Sequence, residues 1–257
     1  MNLDTKRSNK FKEMGVIKTK GLVIKEVPYN DSDKMITLIT EDHGKIGVLA
    51  RNAKKYGRSS YGTQVLTYGE YVIFKGRTTY TMNNCDVQMN FYNLATDLTR
   101  FAHAAHMLEM AEDAALDNTL SKEILNLLIH GLMALQKGRT PLLVSSAFAL
   151  KLMQITGYPP HVSSCASCNT EDIEQIFFSF KYNGFICENC SKQDTEAVRV
   201  DIGTAKGIMY VLLAQNGKVF NFELSAENLK TFSSIAFRYI SRQLDKSYKK
   251  LDILNEL

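Results

Sequence analysis

Four cysteines constrain this chain more than any other feature. They fall as Cys165-x-x-Cys168, then eighteen residues, then Cys187-x-x-Cys190. A two-residue gap lets both sulfurs of a pair reach one ion from a tight turn, and two such turns complete a tetrahedron of thiolates around zinc. Between the pairs run Ile176-Phe-Phe-Ser-Phe180, Asn183-Gly184 and Phe185-Ile186. These read as strand, hairpin turn and second strand leading into the second pair. Spacing and hairpin agree on a zinc ribbon. Its ion is expected to be structural, because four thiolates leave no coordination position for water. An iron centre and a redox pair are the other chemistries open to such cysteines. His161 could replace one sulfur, although four already suffice and a loop histidine is the simpler account. The fifth cysteine, Cys85, stands in a β-patterned segment and reads as a small, buried or half-buried residue.

The ribbon occupies only residues 161–199 of 257, so other segments must supply the core. Residues 14–92 are patterned as strands: Val16–Val27, Met35–Thr40, Lys45–Ala50, Val65–Lys75 and Thr78–Met89, with turn residues between them. Five strands without intervening helical periodicity predict a small barrel. From residue 93 the period changes. Helices are expected over Asp97–Leu116, Ser121–Gln136, Pro141–Ile155, Ile202–Gln215 and Ala226–Lys246, their apolar stripes forming a bundle core. The chain thus divides into a polar extension (1–13), a barrel (14–92), a helical domain in two parts (93–160 and 200–257) and the ribbon inserted within it. The fold class is multi-domain α+β.

Several functions find no support. The first thirteen residues, MNLDTKRSNKFKE, have no apolar stretch and do not read as a secretory signal; Met14 could serve as an alternative start. Without such a signal, the cysteines fit the reducing cytosol. No apolar run reaches the length of a membrane span. Phosphate-binding and nucleophile-elbow motifs are missing, as is the deaminase pattern around Cys-x-x-Cys. His103 and His106, with Glu109 and Glu112 one turn on, could bind a metal, but a solvated or interfacial helix face accounts for them. The chain is therefore read as a binding protein and not an enzyme.

The net charge of +4 decides little, but its distribution is informative. Lys45, Arg51, Lys54, Lys55, Arg58, Lys75 and Arg77 share a window with one acid, Glu70, and with Tyr56, Tyr61, Tyr68 and Tyr71. Cations that track phosphates and rings that stack on bases are what a single-strand groove requires. The same composition also fits a solvated loop with tyrosines pinning the barrel.

The order of these parts resembles the RecO family of bacterial recombination and repair mediators. The matching stretches are Gly21-Leu-Val-Ile-Lys25, Tyr29-Asn-Asp-Ser-Asp33-Lys34, Ile36-Thr-Leu-Ile-Thr40, Gly44-Lys-Ile46, Ala50-Arg-Asn-Ala-Lys-Lys55 before Ser59, and Ile155-Thr-Gly-Tyr-Pro159 ahead of the first cysteine pair. A single glycine at Asn183-Gly184 replaces the double glycine frequent in the family, and one is enough for the turn. The resemblance implies an N-terminal OB-fold, binding to single- and double-stranded DNA and strand annealing. It also implies action with RecR to load RecA onto strands coated by single-strand binding protein (SSB), the need for RecF being left open. A cytoplasmic, nucleoid-associated location and a zinc that serves the fold follow as well. Arg51, Lys54, Lys55 and Arg58 become the DNA-binding candidates, with Lys45, Lys75 and Arg77 less firmly aligned. Lys122, Lys137, Arg139 and Lys151 are expected to edge an apolar groove for the acidic, Phe-ended SSB tail. A zinc-ribbon enzyme acting on nucleic acid and a transcription-type zinc-ribbon factor are the alternatives.

Overall fold

The computed structural model describes residues 15–54, 58–115 and 121–255; the expected extension 1–13 lies outside them. The chain separates into two compact units, one of residues 1–38 with 46–90, the other of residues 39–45 with 91–257. Among the described residues no helix is long and apolar enough to cross a membrane.

The first unit is built on β1 (Gly15–Pro28), β2 (Lys34–Thr40), β3 (Lys45–Ala50), β4 (Thr67–Lys75) and β5 (Tyr80–Asn90), with a one-turn helix, α1 (Arg58–Tyr61), before β4. The strands close into a barrel in the order β1-β2-β3-β5-β4. β4 is antiparallel to both β1 and β5, and β3 meets β5 in parallel through Val48↔Tyr80 and Leu49↔Thr81. Alternation along β4 sets its faces: Thr67, Gly69, Tyr71 and Ile73 are buried, while Tyr68, Glu70 and Val72 are only partly so. Gly69 is required by crowding, since a Cβ there would strike the backbone of Asp86 on β5. Val23, Ile36, Leu38, Ile46, Val48, Tyr71 and Ile73 are among the residues that fill the barrel. Tyr71 is thereby removed from the expected stacking rings: its side chain is fully buried and its hydroxyl donates to the Gly62 carbonyl at 2.9 Å.

The second unit contains α2 (Leu98–Ala114), α3 (Ser121–Gln136), α4 (Pro141–Ile155), α6 (Ile202–Leu213) and α7 (Ala226–Gln243); α5 is the turn Glu188–Ser191 in the ribbon. Helix starts follow local chemistry. Asp97 accepts from Arg100 N, Asp201 from Gly203 N and Thr204 N, and Ser225 from Asn228 N. Pro141 occupies the first turn of α4, and Gly157, at φ +91°, follows its end. α4 is buried without a break from Leu143 to Met153 and packs against α2, α3, α6 and α7, so it is the centre of the bundle.

One expectation fails here, because burial overrides residue type. Lys151 does not edge a surface groove. It is 8 % exposed, and its ammonium donates to the Leu212 and Ala214 carbonyls at the end of α6 and to Gln154 Oε1. A cation at a helix C-terminus satisfies carbonyls left without intrahelical donors. Of the two readings given for His103 and His106, the interfacial face holds and the solvated one does not, since they are 3 % and 2 % exposed. His103 Nδ1 lies 2.7 Å from Ser145 Oγ on α4, and the His106 ring meets the edges of Phe237 and Tyr248.

Burial lowers both imidazoles to about 4, His103 adding to the effect on His106. In the unfolded chain each titrates near ~6.5. Between those values the unfolded chain binds more protons than the native one, so stability is full above about 6.5 and falls as the pH drops toward about 4. The loss should reach the order of 3 kcal/mol per histidine over that window. Urea unfolding at a series of pH values measures it, and His106→Phe should flatten the slope.

Candidate functional site

The ribbon begins from a hairpin whose turn obeys local rules. β6 (Ile176–Ser179) pairs antiparallel with β7 (Gly184–Cys187), placing Ile176 opposite Cys187. Asn183 takes φ +53°, a left-handed value that asparagine tolerates. At Gly184 a Cβ would collide with the His161 backbone, which pairs there through His161 N to Asn183 O and Phe185 N to His161 O, both 2.8 Å. Ala166 N donates to Phe185 O at 2.7 Å and ties the first cysteine turn to the hairpin. A third strand, β8 (Val198–Val200), joins the far edge of β6. The sequence reading missed it because three residues carry no usable periodicity.

These bonds bring the sulfurs of Cys165, Cys168, Cys187 and Cys190 within 4.8 Å of one another. A tetrahedron with metal–sulfur bonds of ~2.3 Å has sulfurs about 3.8 Å apart, and Cys168 Sγ lies 3.8 Å from Cys187 Sγ. Cys187 N donates to Cys165 Sγ at 3.3 Å. Burial raises the Cys165 thiol, but backbone N–H groups of Cys168, Cys187 and Ser167 outweigh it and bring the thiol down to about 6. Cys190 is pushed up to about 12: against a bond from Ser167, burial and the three other sulfurs oppose its ionisation. Sulfurs packed this closely compete to remain protonated, a conflict that a shared cation removes. The group could hold a metal ion. His161 stands apart from it, its Nε2 2.8 Å from Ser164 Oγ.

The ribbon is fastened to α7. Phe178 makes edge contacts with Phe180, Phe185 and Tyr239. Arg238 and Arg242 lie over the Phe180 ring, 4.2 and 5.3 Å from its centroid, and both donate to Glu196 Oε2. Sequence reasoning did not find this clamp. Its one signal was a pair of arginines one helical turn apart.

The barrel's cations are dispersed. Arg51 and Lys54 are exposed in the turn after β3. Lys55 lies outside the described residues, as does the Arg58 side chain at the start of α1. Lys75 and Arg77 belong to the β4–β5 hairpin, and Lys45 Nζ donates to the Glu112 carbonyl. The turn carrying Arg51 and Lys54 is bonded to the β1–β2 loop. Asp33 Oδ1 accepts from Asn52 N at 2.8 Å, Ser32 O from Lys54 N at 3.0 Å, and Asn30 O from Lys54 Nζ. The backbone N–H of Asn52, with the Asn30 amide, holds the Asp33 carboxyl below its usual range. Cys85 is half-buried, and loss of hydration pushes its thiol up to about 11, which removes it as a nucleophile.

The chain thus combines a closed OB barrel bearing an exposed cationic turn with, later in sequence, a helical unit that carries a four-cysteine ribbon. Residues 14–91 match the family model described as Recombination protein O N terminal, and residues 95–252 that described as Recombination protein O C terminal. The DNA repair protein RecO of Acetivibrio thermocellus is 37 % identical over 246 residues, covering 95 % of this chain and 98 % of that protein. Those of Caldicellulosiruptor bescii and Alkaliphilus metalliredigens are each 30 % identical, over 93 % and 94 % of the chain and 98 % and 100 % of their own lengths. The chain belongs to the RecO family of DNA repair proteins.

Elemental analysis should find one metal ion per chain, lost in Cys165→Ser. In hydrogen exchange, chelation should first expose residues 161–199, because so short a segment depends on its ion for a core.

Proposed function

We propose that this chain binds single- and double-stranded DNA through its barrel, anneals complementary strands and, with RecR, helps load RecA onto SSB-coated single strands, the need for RecF being left open. The observation that carries the reading is the cationic turn of Arg51 and Lys54, exposed on an OB barrel in a member of a DNA repair family. Lys75 and Arg77, on the β4–β5 hairpin, would add further phosphate contacts, and Lys55 and Arg58 stay DNA-binding candidates on their sequence match to the family alone. Lys45 contributes less, since its ammonium already has a carbonyl partner. Cations that neutralise phosphates on both strands lower the repulsion that slows pairing, and binding then weakens steeply with salt.

The proposed division of labour follows the segments: the barrel (14–92) for DNA, the helical parts (93–160 and 200–257) for protein partners, and the insert (161–199) as a zinc-stapled support. An all-sulfur set at tetrahedral spacing suits zinc or iron, and zinc is taken because paired Cys-x-x-Cys turns on a hairpin are the pattern of a structural zinc ribbon. Held by Cys165, Cys168, Cys187 and Cys190, it would supply cross-linking and no reaction. The protein acts by binding and not by catalysis, in the cytoplasm at the nucleoid. For the SSB tail, two neighbouring clefts share Phe222 and Glu223. One of about 360 Å³ is lined by Tyr210, Leu224 and Lys206, the other of about 290 Å³ by Lys137, Arg139 and Leu143. The first would take the terminal ring. Lys137 and Arg139 would face the acidic residues, after the 3.5 Å Arg139–Glu223 pair opens.

Reversing Arg51, Lys54 and Lys55 to Glu should weaken oligonucleotide binding by roughly tenfold or more at low salt and leave metal content unchanged. Annealing of complementary oligonucleotides, bare and SSB-coated, is the decisive assay. No acceleration by the unmodified chain would refute the reading.

A further inference from the structure

Two loops of the barrel form one hydrogen-bonded body. Within the first, Asn30 Oδ1 accepts from Ser32 N and Asp33 N at 2.9 and 2.7 Å, and Tyr29 N donates to Asp33 O at 3.0 Å. Asp33 uses both carboxylate oxygens: Oδ2 takes the Asn30 amide at 2.8 Å, and Oδ1 takes Asn52 N in the second loop. Asn52 sits at φ +53°, a conformation costly for most residues and here held by that bond. Lys54 adds two links, from its backbone N–H and its ammonium. The outer surface of this body presents Arg51, exposed, and Tyr29, 62 % exposed. An exposed ring and an exposed cation carried on one hydrogen-bonded support are suited to a flat π-system that also carries negative charge.

We propose that loops 29–33 and 51–54 form a preassembled clasp for single-stranded nucleic acid, in which Tyr29 stacks on a base and Asp33 is the residue that positions Arg51. The inference rests on the DNA-binding reading above. Stacking needs an unpaired base, so Tyr29 discriminates single strands from duplex. Asp33 works through Asn52 and so has an effect opposite in sign to its charge. Coulomb's law alone makes any carboxylate beside a phosphate site unfavourable, so deleting a merely electrostatic Asp33 would tighten binding.

The test is oligonucleotide affinity, by fluorescence anisotropy over a range of salt, for a single-stranded probe and its duplex. Tyr29→Ala should lower single-strand affinity about tenfold at every salt concentration without changing the salt slope, and leave duplex affinity within about twofold, since no base is free to stack. Tyr29→Phe should restore it. Arg51→Ala should reduce the slope by about 0.7. Asp33→Ala should weaken single-strand binding despite removing a negative charge, and should add nothing in an Arg51→Ala background. Tyr29 is exposed, so its variants test the clasp even where Asp33→Ala loosens the barrel. Equal losses on duplex and single strand, an unchanged Tyr29→Ala, or a tighter Asp33→Ala each overturn the inference. Full affinity in Arg51→Ala/Lys54→Ala would instead retire the underlying reading of the basic turn.

Discussion

A helix buried on every side must find a partner for each polar group it carries, and α4 organises the helical unit through that requirement. Its interior positions bring α2, α3, α6 and α7 against it. Ser145 meets His103, and Ser146 returns its hydroxyl to the Leu142 carbonyl. Lys151 takes up the carbonyls that end α6. An ammonium inside a bundle is tolerated when its protons are all directed at oxygens, and the carbonyls gain a charged donor in exchange for water. One side chain therefore caps the end of α6 and ties it to α4.

The ribbon has the opposite problem, too few apolar residues for its length. Phe178, Phe180, Phe185 and Ile186 are its main buried side chains, and they face α7 and the hairpin. A four-sulfur cluster at one end and the Phe180 clamp at the other compensate. Arg238 and Arg242 share one carboxylate and one ring, which keeps two like charges a turn apart without leaving either unpaired. The ribbon is thus a supported insert, and the cations at its junction with α7 are already engaged.

In the barrel, rigidity reaches the loops. Asp33 accepts bonds from both sides of the gap between two turns, so the displayed Arg51 and Tyr29 stand on an ordered support. A binding surface ordered in advance loses less conformational entropy when a flexible strand docks.

Much of this was legible in the sequence because it is local. Strand and helix periods, the Pro141 and Gly157 boundaries of α4, the Asn183-Gly184 turn and the cysteine spacing all depend on neighbours a few residues away. They placed β3, α3 and α4 at their observed limits, indicated a small barrel, which the family resemblance named an OB-fold, and brought the four sulfurs to one point. What residue type could not convey was which polar groups would lose water. Lys151 looked like a surface cation, Tyr71 like either a stacking ring or a pin for the barrel, and His103 and His106 like either a solvated or an interfacial face. Each makes contacts with residues distant in sequence, from nine positions away to more than a hundred, with Ala214, Gly62, Ser145 and Tyr248. The converse holds for Asp33 and Glu196, ordinary surface acids in sequence that bridge separate segments in space. Spacing determined many of the elements and the four-cysteine cluster. Only tertiary packing decided which charges and rings remain exposed to a partner, because exposure depends on the whole surrounding structure and not on the residue alone.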